Sequence, residues 1–318
     1  MIATNPIPTL NPSNTQALRL EEFTAFLTAK ERSTVTIRGY VSDVILFARW
    51  YLAEYGEEFT SANLSPAAVR AYKQYLLDQE AKPKTVNRRL ASLAAYAHWA
   101  RQAGYLKERN PVSGILKVPQ APLAPRWLDS SQKAKLLRVI EDDVETAIRR
   151  YPRLQVASLR DAAIVHLLLN TGLRVREVVG LKRSDLLLTE RKGVIIVRQG
   201  KGGKRREIPL NTSARKALQS YLDARPDVDS DRLFIGQSNE GIQEKTVQRA
   251  VKRFAKAAGM GEISAHMLRH TFAKSLIDKG VTLEKVAALL GHSDLSTTQI
   301  YTTPGERDLE DAVGRLVE

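Results

Sequence analysis

The sequence predicts a mainly α protein of two domains: a small four-helix N-terminal domain, a proline-rich connection, and an α-rich second domain that carries a small β-sheet. Three observations lead to this. At 318 residues the chain exceeds the usual reach of one hydrophobic core. Apolar residues recur at one-face helical spacing through most of its length. The period changes at Val194-Ile195-Ile196-Val197, a β-branched run followed by Gly200, Gly202 and Gly203.

Residues 1–17 read as a polar, proline-containing tail without the basic and apolar sequence of a secretory signal. The first domain is expected over 18–108. Ile37, Val41, Val44 and Ala48 share a helical face, as do Val69, Tyr72 and Leu76. Ser65-Pro66 is a helix start, because the serine oxygen accepts from early amides and proline needs no donor there. A further helix begins near Thr85, buries Val86, Leu90, Leu93 and Ala97, and ends at Gly104. Residues 109–128, with Pro111, Pro119, Pro122 and Pro125, form an extended linker.

The second domain spans 129–303, with helices at about Ser131–Asp142 and Leu159–Thr171. A hairpin follows, its basic glycine-rich tip lying between the β-branched run and a second run ending at Leu210. More helices are expected at Thr212–Ala224, Thr246–Gly259, Ala265–Lys279 and Thr282–Leu290. Ser296 and Gln299 have the spacing of a capping box for a short helix. In 304–318, Leu309, Val313, Leu316 and Val317 lie at helical spacing.

Composition narrows the function classes. A formal charge of +14 and a pI near 9.9 attract polyanions, of which nucleic acid is the commonest in cells. An acidic membrane surface would attract the same charge, but no basic amphipathic anchor with a broad apolar face is present. No apolar run approaches the roughly 18 to 20 residues of a membrane span. The absence of cysteine excludes disulfides, thiolate catalysis and cysteine-ligated zinc. A cytoplasmic, nucleoid-associated protein is expected.

Four groups of residues can carry chemistry. Arg174 and Glu177 lie three apart after Thr171-Gly172-Leu173, so a carboxylate can hold a guanidinium in place; alone, they would be an ordinary surface ion pair. His266 and Arg269 are also three apart and aim an imidazole and a planar donor fork at one anion. His266 and His270 have zinc spacing, but Met267 stands where a zinc-protease helix carries its glutamate, so no metal is expected. His270, like His98 and His166, reads as a buried, hydrogen-bonded histidine. Lys201 and Lys204 sit among glycines that let a loop approach a nucleic-acid backbone. A nucleotide P-loop fails there, since Arg205 rather than Ser or Thr follows Lys204. Tyr301 follows Gly291-His292-Ser293 and the short helix; a lone tyrosine in that place would be packing.

Together these residues suit one reaction. A tyrosine oxygen attacks a phosphodiester, fixed cations stabilise the charged transition state, and an acid protonates the departing oxygen. No cofactor, nucleotide or metal is needed.

The chain resembles the tyrosine recombinase, or phage integrase, family, which includes the Xer recombinases. The likeness covers roughly Leu18 to Tyr301. It rests on Thr-Gly-Leu-Arg-Val-Arg-Glu at 171–177, Gly-Lys-Gly-Gly-Lys at 200–204, His-Met-Leu-Arg-His at 266–270, Gly-His-Ser at 291–293 and Tyr301. The resemblance implies the tyrosine recombinase fold, in which the helical domain and the catalytic domain clamp DNA. It makes Arg174 and Arg269 the clamp on the nonbridging phosphate oxygens, supported by Glu177. Lys201 becomes the general acid for the 5′-oxygen, with Lys204 the weaker candidate. His266 assists proton removal from Tyr301, and His292 hydrogen-bonds the phosphate.

The resemblance also implies a homotetramer on two double-stranded DNA sites, a Holliday junction, and accessory factors or a second recombinase as partners. In this reading 304–318 docks on a neighbouring protomer, and Arg38, Lys84, Arg88, Arg249 and Arg253 are candidate DNA contacts. Phosphate contacts imply salt-dependent binding. Thr303 departs from the family, many members of which carry histidine after Tyr-Thr, and the stretch before Leu159 is longer than in compact members. Two alternatives remain: DNA relaxation like that of a type IB topoisomerase, and a catalytically silent DNA-binding regulator.

Overall fold

A computed structural model of the chain describes residues 18–107, 109–120, 125–198, 205–292 and 294–302. The chain divides into two compact units, Met1–Pro122 and Leu123–Glu318. The first unit contains α1 (Leu20–Ala29), α2 (Thr34–Tyr55), α3 (Pro66–Asp78) and α4 (Pro83–Gln102). Ser33 and Ser65 cap α2 and α3 by accepting from the amides of Thr36 and Ala68, each at 3.2 Å. Pro66 and Pro83 occupy first turns, where a missing N–H costs no hydrogen bond.

The apolar faces meet in one core, where Val44, Val69, Val86, Leu90 and Leu93 surround Phe47, Tyr72 and Tyr96. Phe47 meets Phe59 and Tyr72 nearly edge-on, with ring centres 4.9 and 5.0 Å apart, the arrangement that sets a ring's positive edge against a negative face. Asp43 is buried in this unit and satisfied by Arg88 and by the Ser92 hydroxyl, which donates at 2.7 Å. His98, expected to be buried, is exposed: α4 turns its neighbours Tyr96, Ala97, Trp99 and Ala100 inward and leaves position 98 on the outer face.

Part of the expected linker is anchored. Val112, Ile115 and Val118 pack on the first core. The Asn87 side chain accepts from the Val118 amide and donates to its carbonyl, both at 2.9 Å. Lys73 Nζ donates to the Leu116 carbonyl at 2.8 Å. Prolines exclude helix here but leave the chain free to lie along a packed surface.

The second unit runs α5 (Ser130–Arg150), α6 (Pro152–Thr171), α7 (Val175–Gly180), β1 (Leu186–Leu188), β2 (Gly193–Val197), β3 (Arg206–Pro209), α8 (Thr212–Ala224), α9 (Glu244–Ala257), α10 (Ala265–Ile277), α11 (Leu283–Leu290) and α12 (Ser296–Gln299). The centre is α6. Every residue from Ala162 to Leu169 is buried, because α5, α8, α9 and α10 pack around it. His166 is buried there as expected, its Nδ1 2.9 Å from Ser213 Oγ.

Helix α5 continues well past Asp142, since Leu136, Ile140 and Ala147 prolong one buried stripe. A reciprocal capping box between Asp129 and Gln132 starts it. Helix α6 starts at Pro152 rather than near Leu159. The sheet is antiparallel in the order β1-β2-β3, with Ile195 opposite Leu186 and Ile208. Strand β1, three residues long, is too short to register as a sequence pattern. Pro209 lies on an edge strand, where its missing donor is tolerated. Lys201 and Lys204, expected at a hairpin tip, the expected 1–17 tail and the 304–318 segment lie outside the described residues. Among the described residues no helix is long and apolar enough to cross a membrane.

One glycine is fixed by both conformation and space. Gly172 closes α6 at φ 62°, and a Cβ there would stand 2.5 Å from Phe272 Cδ1 and 2.7 Å from Leu290 Cδ2. Gly172→Ala is therefore expected to destabilise the second unit by about 2–3 kcal/mol, adding left-handed strain to overpacking. A thermal unfolding midpoint equal to wild type would contradict this.

Candidate active site

The C-terminal ends of α6 and α11 come together, and two guanidinium groups meet them. Arg174 is the N-cap residue of α7, and Glu177 sits in that helix's first turn. The Arg174 amide donates to Glu177 Oε2 at 2.8 Å, and its Nη1 donates to Glu177 Oε1 at 3.1 Å. Among the described residues the other Arg174 bonds are long, from Nη1 to the Leu290 carbonyl and from Nη2 to the Gly291 carbonyl, both at 3.5 Å.

Arg269 comes from α10 and is 4% exposed. It donates to the Gly172 carbonyl, to the Leu290 carbonyl at 2.8 Å and to His292 Nε2 at 2.9 Å. Helix C-termini expose unpaired carbonyls, so a cation placed there satisfies them and complements the helix dipole. Burial, assisted by the Arg174 charge, lowers Arg269 to about 10, which still leaves it protonated at neutral pH.

These contacts fix the His292 tautomer. A guanidinium can only donate, so Nε2 accepts from Arg269 and the ring proton lies on Nδ1, which donates to Thr298 Oγ1 at 2.8 Å. Thr298 lies on α12 and is fully buried. This bond ties the loop after α11 to the helix before Tyr301. The expected capping box of Ser296 and Gln299 does not form; Asp294 instead accepts from the Ser296 amide at 2.9 Å and from the Thr297 hydroxyl at 2.6 Å.

Tyr301 is 2% exposed, its ring packed among Phe272, Ala273, Val286 and Leu290. Its hydroxyl lies 2.7 Å from His270 Nδ1. Burial raises the phenol above its ordinary value, while the charges of Arg269 and Arg174 pull it down. The nucleophile candidate therefore stands within the field of both guanidinium groups.

His266, expected beside the phenol, is exposed on the first turn of α10, and its ring centre is 6.0 Å from that of His270. The imidazole touching the phenol in this arrangement is His270. The two lie one turn apart on the same face of α10, and Tyr301 stands against the second of them.

Arg206 also escaped the sequence reading. Strand β3 carries it on the same face as buried Ile208, and it donates twice to Glu177, at 3.0 and 2.8 Å. An arginine on the apolar side of a strand was the available signal. Burial pushes the Glu177 carboxyl up, but bonds from Arg206 and the Arg174 amide, with both positive charges, outweigh it and hold the carboxyl below its usual range.

Burial and the neighbouring charges lower both His270 and His292 to about 4. The unfolded imidazole titrates at about 6.5. Between these values the unfolded chain binds more protons, so the contribution of the neutral histidines is complete above about pH 6.5 and is lost as pH falls toward about 4. Urea midpoints taken from about pH 7.5 down to about pH 4.5 are expected to fall less steeply in His292→Gln than in wild type; identical slopes would contradict the burial of a neutral ring.

The five candidate DNA contacts, Arg38, Lys84, Arg88, Arg249 and Arg253, are all exposed. Two already hold partners: Arg88 pairs with Asp43, and Arg253 with Asp143 at 2.5 Å and Asp161 at 3.4 Å. Among the described residues no cluster of His, Asp or Glu is arranged to hold a metal ion.

The phage integrase family pattern matches residues 127–307, and the family's N-terminal SAM-like domain matches 20–104. The chain belongs to the phage integrase family. It is 35% identical to the tyrosine recombinase XerC of Corynebacterium glutamicum over 89% of this chain and 86% of that protein. It is 34% identical to the tyrosine recombinase XerA of Pyrococcus furiosus, covering 93% of each chain. In fold it is similar to the XerH site-specific recombinase solved with a palindromic difH substrate after cleavage, at TM-score 0.75 and 21% identity, over 99% of this chain and 100% of that one. It is also similar to a lambda integrase dimer bound to a core site, at TM-score 0.66 and 18% identity, over 91% and 95% of the two chains. The resemblance drawn from the sequence, the mainly α fold with a small sheet, and the assignment to the tyrosine recombinase enzymes are borne out.

Proposed function

We propose that this chain is a site-specific DNA recombinase that cuts and rejoins strands through Tyr301. The phenolic oxygen attacks the scissile phosphorus, the bond to the 5′-oxygen breaks, and that oxygen leaves as a hydroxyl after taking a proton from Lys201. The product is a 3′-phosphotyrosyl bond. It conserves the phosphodiester's energy, so a 5′-hydroxyl from a second duplex reverses the step on a new strand without ATP. Two rounds, through a Holliday junction, exchange both strands.

The observation that carries this reading is the convergence of Arg174 and Arg269 on the Leu290-Gly291 turn while their charges act on the Tyr301 phenol. Fixed cations of this kind stabilise charge that develops on nonbridging oxygens, and they need no reorganisation during the reaction. Glu177 steers Arg174. His292 meets the phosphate once an anion competes for Arg269 and raises the ring's proton affinity. Because Tyr301 is buried against His270, α12 must move outward before attack, and His266 assists proton removal once the phenol leaves His270.

The reading includes a DNA-binding domain at 18–108, a linker at 109–128, a catalytic domain at 129–303 and a protomer contact at 304–318. Four copies act on two DNA sites in the cytoplasm, on the nucleoid, with DNA-bending factors or a second recombinase as partners. The test is a nicked duplex that traps the covalent step, paired with a plasmid carrying two target sites. Trapped adduct and exchange between sites are expected; plasmid relaxation without exchange would replace recombination by topoisomerase action.

A further inference from the structure

We infer that Arg206 is a positioning residue of strand cleavage: by sharing the Glu177 carboxylate, it keeps Arg174 available to the scissile phosphate. This rests on the phosphate-clamp reading of Arg174 given above.

The two arginines stand differently around one carboxylate. Glu177 and Arg206 side chains are 6% and 11% exposed, whereas that of Arg174 is 27% exposed. Arg206 uses both terminal nitrogens on Glu177, at 3.0 and 2.8 Å, and its Nε donates to the Leu289 carbonyl at 3.0 Å. Three bonds in one plane hold that guanidinium still. Arg174 meets the carboxylate with one side-chain nitrogen, at 3.1 Å. Arg206 is thus the interior counter-ion, and Arg174 is the partner that faces outward.

Arg206 also packs against the turn both clamp residues reach. Gly291 has φ 64°, and a Cβ on it would lie 2.7 Å from Arg206 Nη1 and 3.0 Å from Cζ. The absence of a side chain at 291 leaves the guanidinium room against that backbone. Through Arg206, strand β3 therefore holds the Leu289 carbonyl, at the entry to that turn, and the Glu177 carboxylate together.

Removing Arg206 leaves a buried carboxylate whose other strong cationic partner is Arg174. A carboxylate taken out of water needs compensation, so it draws Arg174 inward and away from the phosphate. The effect acts through another residue, which gives it a signature that loss of fold does not share.

The experiment measures single-turnover cleavage of the nicked duplex by wild type, Arg206→Met, the double variant Arg206→Met with Glu177→Gln, and Arg174→Ala. Each acts on an ordinary scissile phosphate and on a methylphosphonate, whose methyl group removes the nonbridging charge. Arg206→Met is expected to slow cleavage about 100-fold. The double variant is expected to regain about 10-fold, because a neutral amide no longer competes for Arg174. On the methylphosphonate the defects of Arg206→Met and Arg174→Ala are both expected to shrink. Arg206→Lys keeps the charge without the fork and serves if the methionine variant does not fold; its cleavage is expected to fall between wild type and Arg174→Ala.

A folded Arg206→Met, or Arg206→Lys in its place, that cleaves like wild type overturns the inference. So does a double variant no faster than the single one, or a defect equally large on both substrates. If Arg174→Ala itself cleaves at the wild-type rate, the clamp reading has failed; if it is slow while the Arg206 variants are not, only the role of Arg206 has.

Discussion

Replacing Tyr301 with phenylalanine is expected to abolish covalent capture of a nicked duplex, lowering cleavage by more than about 10⁴-fold. The change deletes one oxygen from a ring packed among Phe272, Ala273, Val286 and Leu290, so the apolar seat remains. The hydrogen bond to His270 is lost, yet His270 is only partly buried and can take water in exchange. DNA binding should stay within a few-fold of wild type, because the phenol contributes no charge to it. Retardation of DNA on a gel measures binding, and a denaturing gel measures the adduct. An adduct undiminished in the variant would mean that another residue is the nucleophile.

Arg269 carries the second large effect. Arg269→Ala is expected to reduce cleavage about 10³- to 10⁵-fold, the range in which a single arginine stabilises phosphoryl-transfer charge. It also strips the Gly172 and Leu290 carbonyls and His292 of a donor, so stability falls as well. Arg269→Lys separates the two: it keeps one charge in the pocket but cannot bridge both carbonyls and the imidazole at once. Cleavage per folded molecule, with folding followed by circular dichroism, should remain at least about 100-fold below wild type in the lysine variant. Near-normal cleavage by that variant would show that charge alone suffices and that the fork geometry has no catalytic role.

Most of the fold was legible because helical periodicity is a long-range signal. The faces of α2, α3 and α4 were readable from residues such as Val44, Val69 and Leu90, since a buried stripe repeats over several turns. Helix ends were less legible. Pro152 in the first turn of α6 and the Leu136-Ile140-Ala147 stripe of α5 are local signals, but the charged residues around that junction, among them Arg149, Arg150 and Arg153, dilute the apolar period.

The candidate site followed the same division. Arg174, Glu177, Arg269 and His292 could be grouped from short motifs, and the fold brings them together at the Leu290-Gly291 turn. Arg206 and His270 could not, because their partners, Glu177 and Tyr301, are 29 and 31 positions away. A motif records what is adjacent in sequence, whereas these contacts arise from a strand and a helix face that tertiary packing selects.

Strand exchange by this chain requires the Tyr301 oxygen to become bonded to a DNA phosphorus. Mass spectrometry of protease-digested complexes trapped on the nicked duplex tests it directly. The expected product is a nucleotide joined through its 3′-phosphate to the peptide that contains Tyr301, with a free 5′-hydroxyl on the released strand. A nucleotide attached to any other residue, or a 5′-phosphate on the released strand, would contradict it.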